Sequence, residues 1–200
     1  MRGLFITATD TGVGKTEVAC ALVRGHRALG LDVGVMKPAQ SGHAPGEPSD
    51  ADRLRAAAGD VDPAELVCPY TFAAPLAPAV AARLEGRAVS MARILDAARA
   101  RAARHAALVV EGAGGLLTPF TERETYADLA VALGLPVLVV ARAGLGTVNH
   151  TALTCEALRA RGLAVHGVVL NRASPSGDPS EPYNAAEIER LARDGVCKFP

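Results

Sequence analysis

Lys15, Lys37, Glu111 and the aspartates near position 50 are the side chains whose types and spacing could do chemistry in this sequence. Lys15 and Thr16 close the stretch T-D-T-G-V-G-K-T, preceded by the apolar run L-F-I-T-A and followed by a helical pattern, E-V-A-C-A-L. Strand, glycine-containing loop and helix in that order are the context in which G-K-T marks a phosphate cradle. The backbone amides of Asp10, Thr11, Gly12, Val13 and Gly14 then face phosphate oxygens, helped by the positive end of the helix. Lys15 would bridge the β- and γ-phosphates and the Thr16 hydroxyl would ligate Mg²⁺. The strict pattern asks for Gly at position 9, where this chain has Thr9 preceded by Ala8, so the loop is a variant.

A second acidic group is needed on such a metal. A-L-V-V-E-G-A-G-G delivers Glu111 at the end of an apolar run, just before a glycine turn. In open parallel sheets ligands gather at the carboxyl ends of strands, so Glu111 and the loop should converge. K-P-A-Q-S-G places Lys37 at the same edge. A second ammonium there would stabilise charge developing on a transferred phosphoryl group. Ser41 and Gly42 follow in a segment able to cover the site. Asp50 or Asp52 could complete the metal's oxygen ligands, with a helix N-cap as the rival role for Asp50.

The elements that must position these groups read as an α/β, doubly wound, mainly parallel sheet of the P-loop NTPase type, with helices on both faces. Continuous apolar runs at Gly3–Ala8, Asp32–Lys37, Ala107–Glu111, Pro136–Arg142 and His166–Asn171 fit strands buried on both sides. Helices are expected over Lys15–Leu29, ending at Gly30; over Ser90–Arg104, with Ser90 as N-cap and Met91, Ile94, Leu95 and Ala98 on one stripe; and over Thr147–Arg161, ending at Gly162. A last helix is expected near Asn184–Asp194. The mostly βαβα order implies right-handed crossovers. Ala39–Ser49 and residues 173–182 read as surface loops. The arginines of 93–104 read as a solvated helix face.

At 200 residues the chain is expected to be one domain, 1–200, with formal net charge zero and therefore no electrostatic footprint for nucleic acid or an anionic membrane. Its four cysteines are widely spaced, which speaks against a zinc site or a disulfide framework, and Cys20 and Cys155 read as core thiols. No apolar run approaches the roughly 20 residues of a membrane helix, and Met1 leads straight into a strand, so a cytoplasmic protein is expected.

Taken together, T-D-T-G-V-G-K-T, K-P-A-Q-S-G, P-Y-T-F-A-A-P-L-A-P, E-G-A-G-G and L-G-T-V-N-H resemble, in order and spacing, dethiobiotin synthetase, over about residues 3–171. That resemblance implies an ATP- and Mg²⁺-dependent cyclo-ligase of biotin biosynthesis. Its substrates would be 7,8-diaminopelargonic acid and CO₂ (as bicarbonate), joined through a carbamate and a carbamic–phosphoric anhydride. On matching positions it implies Thr11 and Lys15 at phosphate and carbamate, and Lys37 and Ser41 beside the diamine. Thr16, Glu111 and Asp50, in preference to Asp52, would hold the metal, and Asn171 would contact the adenine. Gly146, Thr147, Val148 and Asn149 would open a helix, supplied by the partner subunit of a homodimer, toward the substrate's distant carboxylate. Ala8 stands where the family usually has Gly. The family also generally continues beyond a segment resembling G-V-C-K-F-P, whereas this sequence ends at Pro200, which bears on base affinity and nucleotide selectivity.

Rival readings are separable. A cobyrinic acid amidating synthetase would share the P-loop and the Glu-Gly-Ala-Gly strand but needs a glutaminase domain for which there is no room. A partitioning or metal-delivery ATPase often carries a second lysine in the loop, where this chain has Asp10 and Thr11.

Overall fold

Val, Leu and Ile runs with no alternating polar face become the interior strands of a parallel sheet, because both faces must be covered. The computed structural model describes residues 1–42, 46–59, 62–172 and 177–192, and the backbone of 196–199. The strands are β1 (Gly3–Ala8), β2 (Val33–Met36), β3 (Ala39–Ser41), β4 (Tyr70–Phe72), β5 (Ala107–Glu111), β6 (Val137–Arg142), β7 (Val165–Asn171) and β8 (Val196–Phe199). Six of them form a parallel sheet in the order β2-β5-β1-β6-β7-β8. The P-loop strand β1 thus lies between β5 and β6, where the strand order reverses and open α/β sheets bind ligands.

The helices are α1 (Lys15–Ala28), α2 (Asp50–Ala57), α3 (Ala64–Val67), α4 (Pro78–Leu84), α5 (Met91–Ala102), α6 (Tyr126–Leu133), α7 (Thr147–Arg159) and α8 (Glu181–Ala192). Alternate strand residues serve two cores. Phe5, Leu108, Val110, Val137, Val139 and Leu170 pack with α4–α8 on one face. Ile6, Val35, Val109, Val140 and Val169 pack with α1–α3 on the other. Each residue buries its side chain on the face opposite its neighbour's, as the strand period requires.

Several expectations are corrected. Ala39–Ser49 is not loop throughout: Ala39–Ser41 pairs in parallel with Tyr70–Phe72 as a separate two-stranded sheet. Positions 43–45 lie outside the described residues, as do 173–176. Within the other expected loop, Glu181 and Pro182 already belong to α8, where Pro is tolerated in a first turn that needs no amide donor. Arg101 is not on a solvated face but fully buried, its guanidinium donating to Asp62 Oδ2 at 2.7 Å. The stripe on α5 holds, with Ile94 and Ala98 buried and Met91 and Leu95 packed against them. Cys20 and Cys155 are buried, and burial pushes the Cys20 thiol up to about 11. Among the described residues no helix is long and apolar enough to cross a membrane.

Candidate active site

The register of the central strands brings the site together. Met36 pairs with Val110 and Ile6 with Glu111, so Lys37, Glu111 and the P-loop all emerge at one edge of the sheet. The amide of Thr9 donates to Val140 O at 3.0 Å, carrying the ladder past the end of β1 before the loop turns. Gly14 then adopts φ 89° as the N-cap of α1, a conformation that strains any side chain. A Cβ there would lie 1.9 Å from Asn171 Nδ2, so the loop packs against β7 as closely as glycine allows.

Beyond this edge opens a cavity of about 720 Å³. Thr11, Gly12, Gly14, Lys15, Thr16, Lys37, Gln40, Ser41 and Asp50 line it together with Pro75–Pro78, Ala113, Gly114, Thr118 and Pro119. Glu111 lies fully buried beneath them. Its Oε1 accepts from Thr16 Oγ1 at 2.8 Å and from Lys37 Nζ at 2.5 Å. Lys37 Nζ also donates to Asp50 Oδ2 at 2.8 Å and to Gly112 O at 3.2 Å. Glu111 Oε2, equally buried, has no partner among the described residues.

The two lysines are tuned in opposite directions. Burial lowers Lys15, and repulsion from Lys37 adds to it, so its ammonium titrates at about 8. Burial acts the same way on Lys37, but Glu111 and Asp50 outweigh it and hold the ammonium well above the usual lysine range. Burial also opposes ionisation of Asp50, yet the Lys37 charge and hydrogen bonds from Lys37 and Thr16 keep its carboxyl below the ordinary value. Lys37 therefore keeps its charge, paired with Glu111 and Asp50, whereas burial and Lys37 work against the charge on Lys15.

Position 50 resolves into distinct geometries for the two aspartates. Ser49 is the N-cap of α2, and Asp52 closes a capping box, accepting from Ser49 N at 3.0 Å and Ser49 Oγ at 2.7 Å. Asp50, one residue into the helix, faces Lys37 instead.

A larger groove of about 1020 Å³ lies at the opposite ends of the strands, lined mainly by apolar residues such as Leu4, Leu22, Leu138 and Val169. It lacks the gathered cations and carboxylates of the first cavity, so size alone does not locate the chemistry.

A family model described as an AAA domain matches residues 2–199. The ATP-dependent dethiobiotin synthetase BioD of Anaeromyxobacter dehalogenans strain 2CP-1 is 77% identical over 201 aligned residues, covering 100% of this chain and 90% of that protein. The chain belongs to the dethiobiotin synthetase family. A more distant dethiobiotin synthetase, that of Bacillus thuringiensis strain Al Hakam, is 46% identical over 193 residues, 96% of this chain and 80% of its own. Among solved structures, the MinC:MinD cell division protein complex of Aquifex aeolicus matches with a TM-score of 0.63, covering 100% of this chain and 81% of that one. At 14% identity that likeness shows the fold alone.

Against the residues that the dethiobiotin synthetase resemblance singles out, the structure gathers Thr11, Lys15, Thr16, Lys37, Ser41, Asp50 and Glu111 at one cavity. Ser41 Oγ donates to Leu76 O at 2.6 Å, tying β3 to the Pro75–Pro78 wall. Asp10 and Val13 sit on the far side of the loop, where Arg142 Nη2 donates to Asp10 Oδ2 at 2.9 Å. Asn171 is nearly buried, and its Nδ2 donates to Val13 O at 2.8 Å, so it ties the P-loop to β7. Gly146–Asn149 do not line the cavity of their own chain.

Sequence reasoning passed over Gln40, Arg142 and Thr118. Gln40 Oε1 accepts from Ala51 N at 3.2 Å and so anchors the first turn of α2 behind Asp50. Its place inside K-P-A-Q-S-G was the available signal. Thr118 Oγ1 accepts from Gly115 N at 3.0 Å and shapes the glycine turn after Glu111. Nothing in its local sequence distinguishes it.

Proposed function

We propose that the chain carries out the ATP-dependent carboxylation and ring closure of 7,8-diaminopelargonic acid to dethiobiotin, releasing ADP and phosphate. The observation that carries this reading is the pair of lysines, Lys15 at the start of α1 and Lys37 just past the end of β2, facing one cavity in a chain of this family. One amine of the substrate takes up CO₂ as a carbamate, and a carbamate oxygen attacks the γ-phosphorus while the bond to ADP breaks. The second amine then attacks the carbamoyl carbon, phosphate departs, and the cyclic urea is closed with loss of protons. The site contributes position and charge. Lys37 faces the carbamate and Lys15 the transferring phosphoryl group, both anionic, and holding the two amines beside the anhydride makes closure intramolecular. Thr11 and Ser41 add polar contacts on the same wall.

Thr16, Asp50 and Glu111 are the residues that would hold Mg²⁺. The fit rests on the donor set: hydroxyl and carboxylate oxygens, with Glu111 Oε2 buried and unpartnered among the described residues. Among the described residues no group of three His, Cys, Asp or Glu side chains gathers into a metal site. An ion held by two carboxylates and one hydroxyl would complete its shell with phosphate and water oxygens. When bound, the ion neutralises charge on the β- and γ-phosphates.

In the same reading, the amide donors of Gly146, Thr147, Val148 and Asn149 at the start of α7 receive the substrate's remote carboxylate across a homodimer interface. That these residues stand away from their own chain's cavity supports the crossed arrangement. Asn171 retains Oδ1 for the adenine while its Nδ2 holds the loop.

The test is phosphate release from Mg-ATP with and without the diamine and bicarbonate, together with mass spectrometry of the product. Release that requires both additions, one phosphate per dethiobiotin formed, is the expected result. Release indifferent to both would overturn the substrate assignment.

A further inference from the structure

The connection from β6 to α7, Ala143–Gly146, is held almost entirely by groups outside itself. Asn184, on α8 and 5% exposed, donates from Nδ2 to Ala143 O at 2.7 Å, with Gly144 O at 3.4 Å. The same amide lies 3.0 Å from Ser180 Oγ. Asp178 Oδ2 accepts from Leu145 N at 2.7 Å. Its other oxygen accepts from Ser180 N at 2.9 Å and Ser180 Oγ at 2.7 Å. The Leu145 and Ser180 donors keep the Asp178 carboxyl below its ordinary range. A Cβ at Gly144 would stand 2.7 Å from Asp178 Oδ2, so the two segments meet at glycine distance.

That connection borders two places that matter. With Asp10, Thr11, Gly12, Val13 and Asn171 it walls a cavity of about 380 Å³ on the far side of the P-loop from the main one. It also ends at Gly146, whose φ of 89° launches α7 and sets the direction in which the first amides of that helix point.

We infer that Asn184 and Asp178 are positioning residues: they clamp Ala143–Gly146 so that the N-terminus of α7 is presented to the substrate carboxylate at a fixed angle. The inference rests on the function proposed above and extends it to residues outside the main cavity, although Asp178 borders the smaller one. A hydrogen bond to a carboxylate weakens steeply with misalignment. A loosened strap therefore costs affinity for that end of the substrate and leaves the reacting amines alone.

A two-by-two comparison tests it. The variables are Asn184→Leu, which keeps the volume and removes the donors, and a substrate analogue with the same vicinal diamine but no carboxylate. In the wild type, omitting the carboxylate should lower kcat/KM by about a hundredfold, as loss of a charged hydrogen-bonded group does. In Asn184→Leu that penalty should shrink about tenfold, with the loss falling on KM for the natural diamine more than on kcat. Equal penalties in the two proteins would overturn the clamp. If Asn184→Leu loses its thermal transition, Asp178→Asn takes its place in the comparison: a shrunken penalty supports the clamp and an equal one overturns it. A wild type that uses both diamines equally would sink the carboxylate assignment and the clamp with it. A wild type inert toward the natural diamine would instead defeat the proposed function itself.

Discussion

Lys37 Nζ and Glu111 Oε1 lie 2.5 Å apart, 2% and 0% exposed, where the ends of β2 and β5 run side by side. The ammonium occupies the centre of an oxygen cluster made by Glu111, Asp50 and the Gly112 carbonyl. Removing either partner of a buried pair leaves the other charge uncompensated, which costs about 3–5 kcal/mol.

Lys37→Met should therefore lower stability by an amount in that range and reduce kcat by about a hundredfold or more. Nucleotide affinity should fall far less. The carboxylates left behind would welcome another cation, so millimolar Mg²⁺ should raise the melting temperature of the variant more than that of the wild type. A variant whose melting ignores Mg²⁺ would argue against these oxygens as a metal set.

Asp50→Asn and Asp52→Asn should separate cleanly. The first removes a charge facing Lys37 and should raise the Mg²⁺ concentration needed for half-maximal activity. The second breaks the Ser49–Asp52 capping box and should cost about 1 kcal/mol of stability with an unchanged Mg²⁺ requirement. Titrations of activity against Mg²⁺, paired with urea melts, check both, and the reverse pattern would exchange their roles.

Lys15, titrating at about 8, predicts a pH dependence for nucleotide binding. Below pH 8 the ammonium is already present for the phosphates. Above it, binding must take up a proton, so affinity should fall by up to about tenfold per pH unit between pH 8 and the ordinary lysine value. Calorimetry in buffers of different ionisation enthalpy measures that proton uptake directly. Lys15→Ala should bind weakly, show no such uptake and have no turnover; a retained uptake would assign the titration to another group.

Away from the site, Asp62 accepts from buried Arg101 and lies 2.8 Å from His105 Nε2. Burial opposes its ionisation, but Arg101 and hydrogen bonds from His105 and Arg101 hold the carboxyl below the ordinary range. Its contribution should be complete above the ordinary aspartate value and lost as pH falls through the lower folded one. Asp62→Asn should cost about 3 kcal/mol by urea unfolding at pH 7. Asp96→Asn, which breaks the exposed pair with Arg99, should cost less than about 0.5 kcal/mol. Similar losses for the two would mean the buried cluster is no tighter than the surface pair.

The arginines of α5 and the turn after it illustrate where sequence reading stops. Arg93, Arg99, Arg101 and Arg104 share one arginine-rich stretch, and nothing local distinguishes the one that is buried. What distinguishes Arg101 is Asp62, placed beside it by the fold. Five of the six strands of the main sheet, by contrast, were legible because a strand covered on both faces needs an unbroken apolar run; the edge strand β8, V-C-K-F, carries a lysine in four residues and was not expected. The short pair β3 and β4 was not, since A-Q-S and Y-T-F are too brief to show a period. Nor was α6, whose Y-A-D-L-A-V-A-L buries Tyr126, Ala127, Leu129, Ala130 and Leu133 and so lacks an amphipathic rhythm. At the site, residue types announced Lys15, Lys37 and Glu111. The choice between Asp50 and Asp52, and the tether from Asn171 to Val13, depend on where helices begin and strands end, which spacing alone leaves open.

The neighbours of β1 have a consequence for how the chain must come together. Residues Gly3–Ala8 precede both of their partners by a hundred residues or more, yet they pair with Leu108–Glu111 on one side and Val137–Val140 on the other. Until both arrive, an apolar strand has two open edges and the P-loop has no wall. Such distant pairing makes folding slow and leaves the nascent chain open to sticking. The phosphate cradle, although encoded ahead of both strands that wall it, is complete only after they have been made.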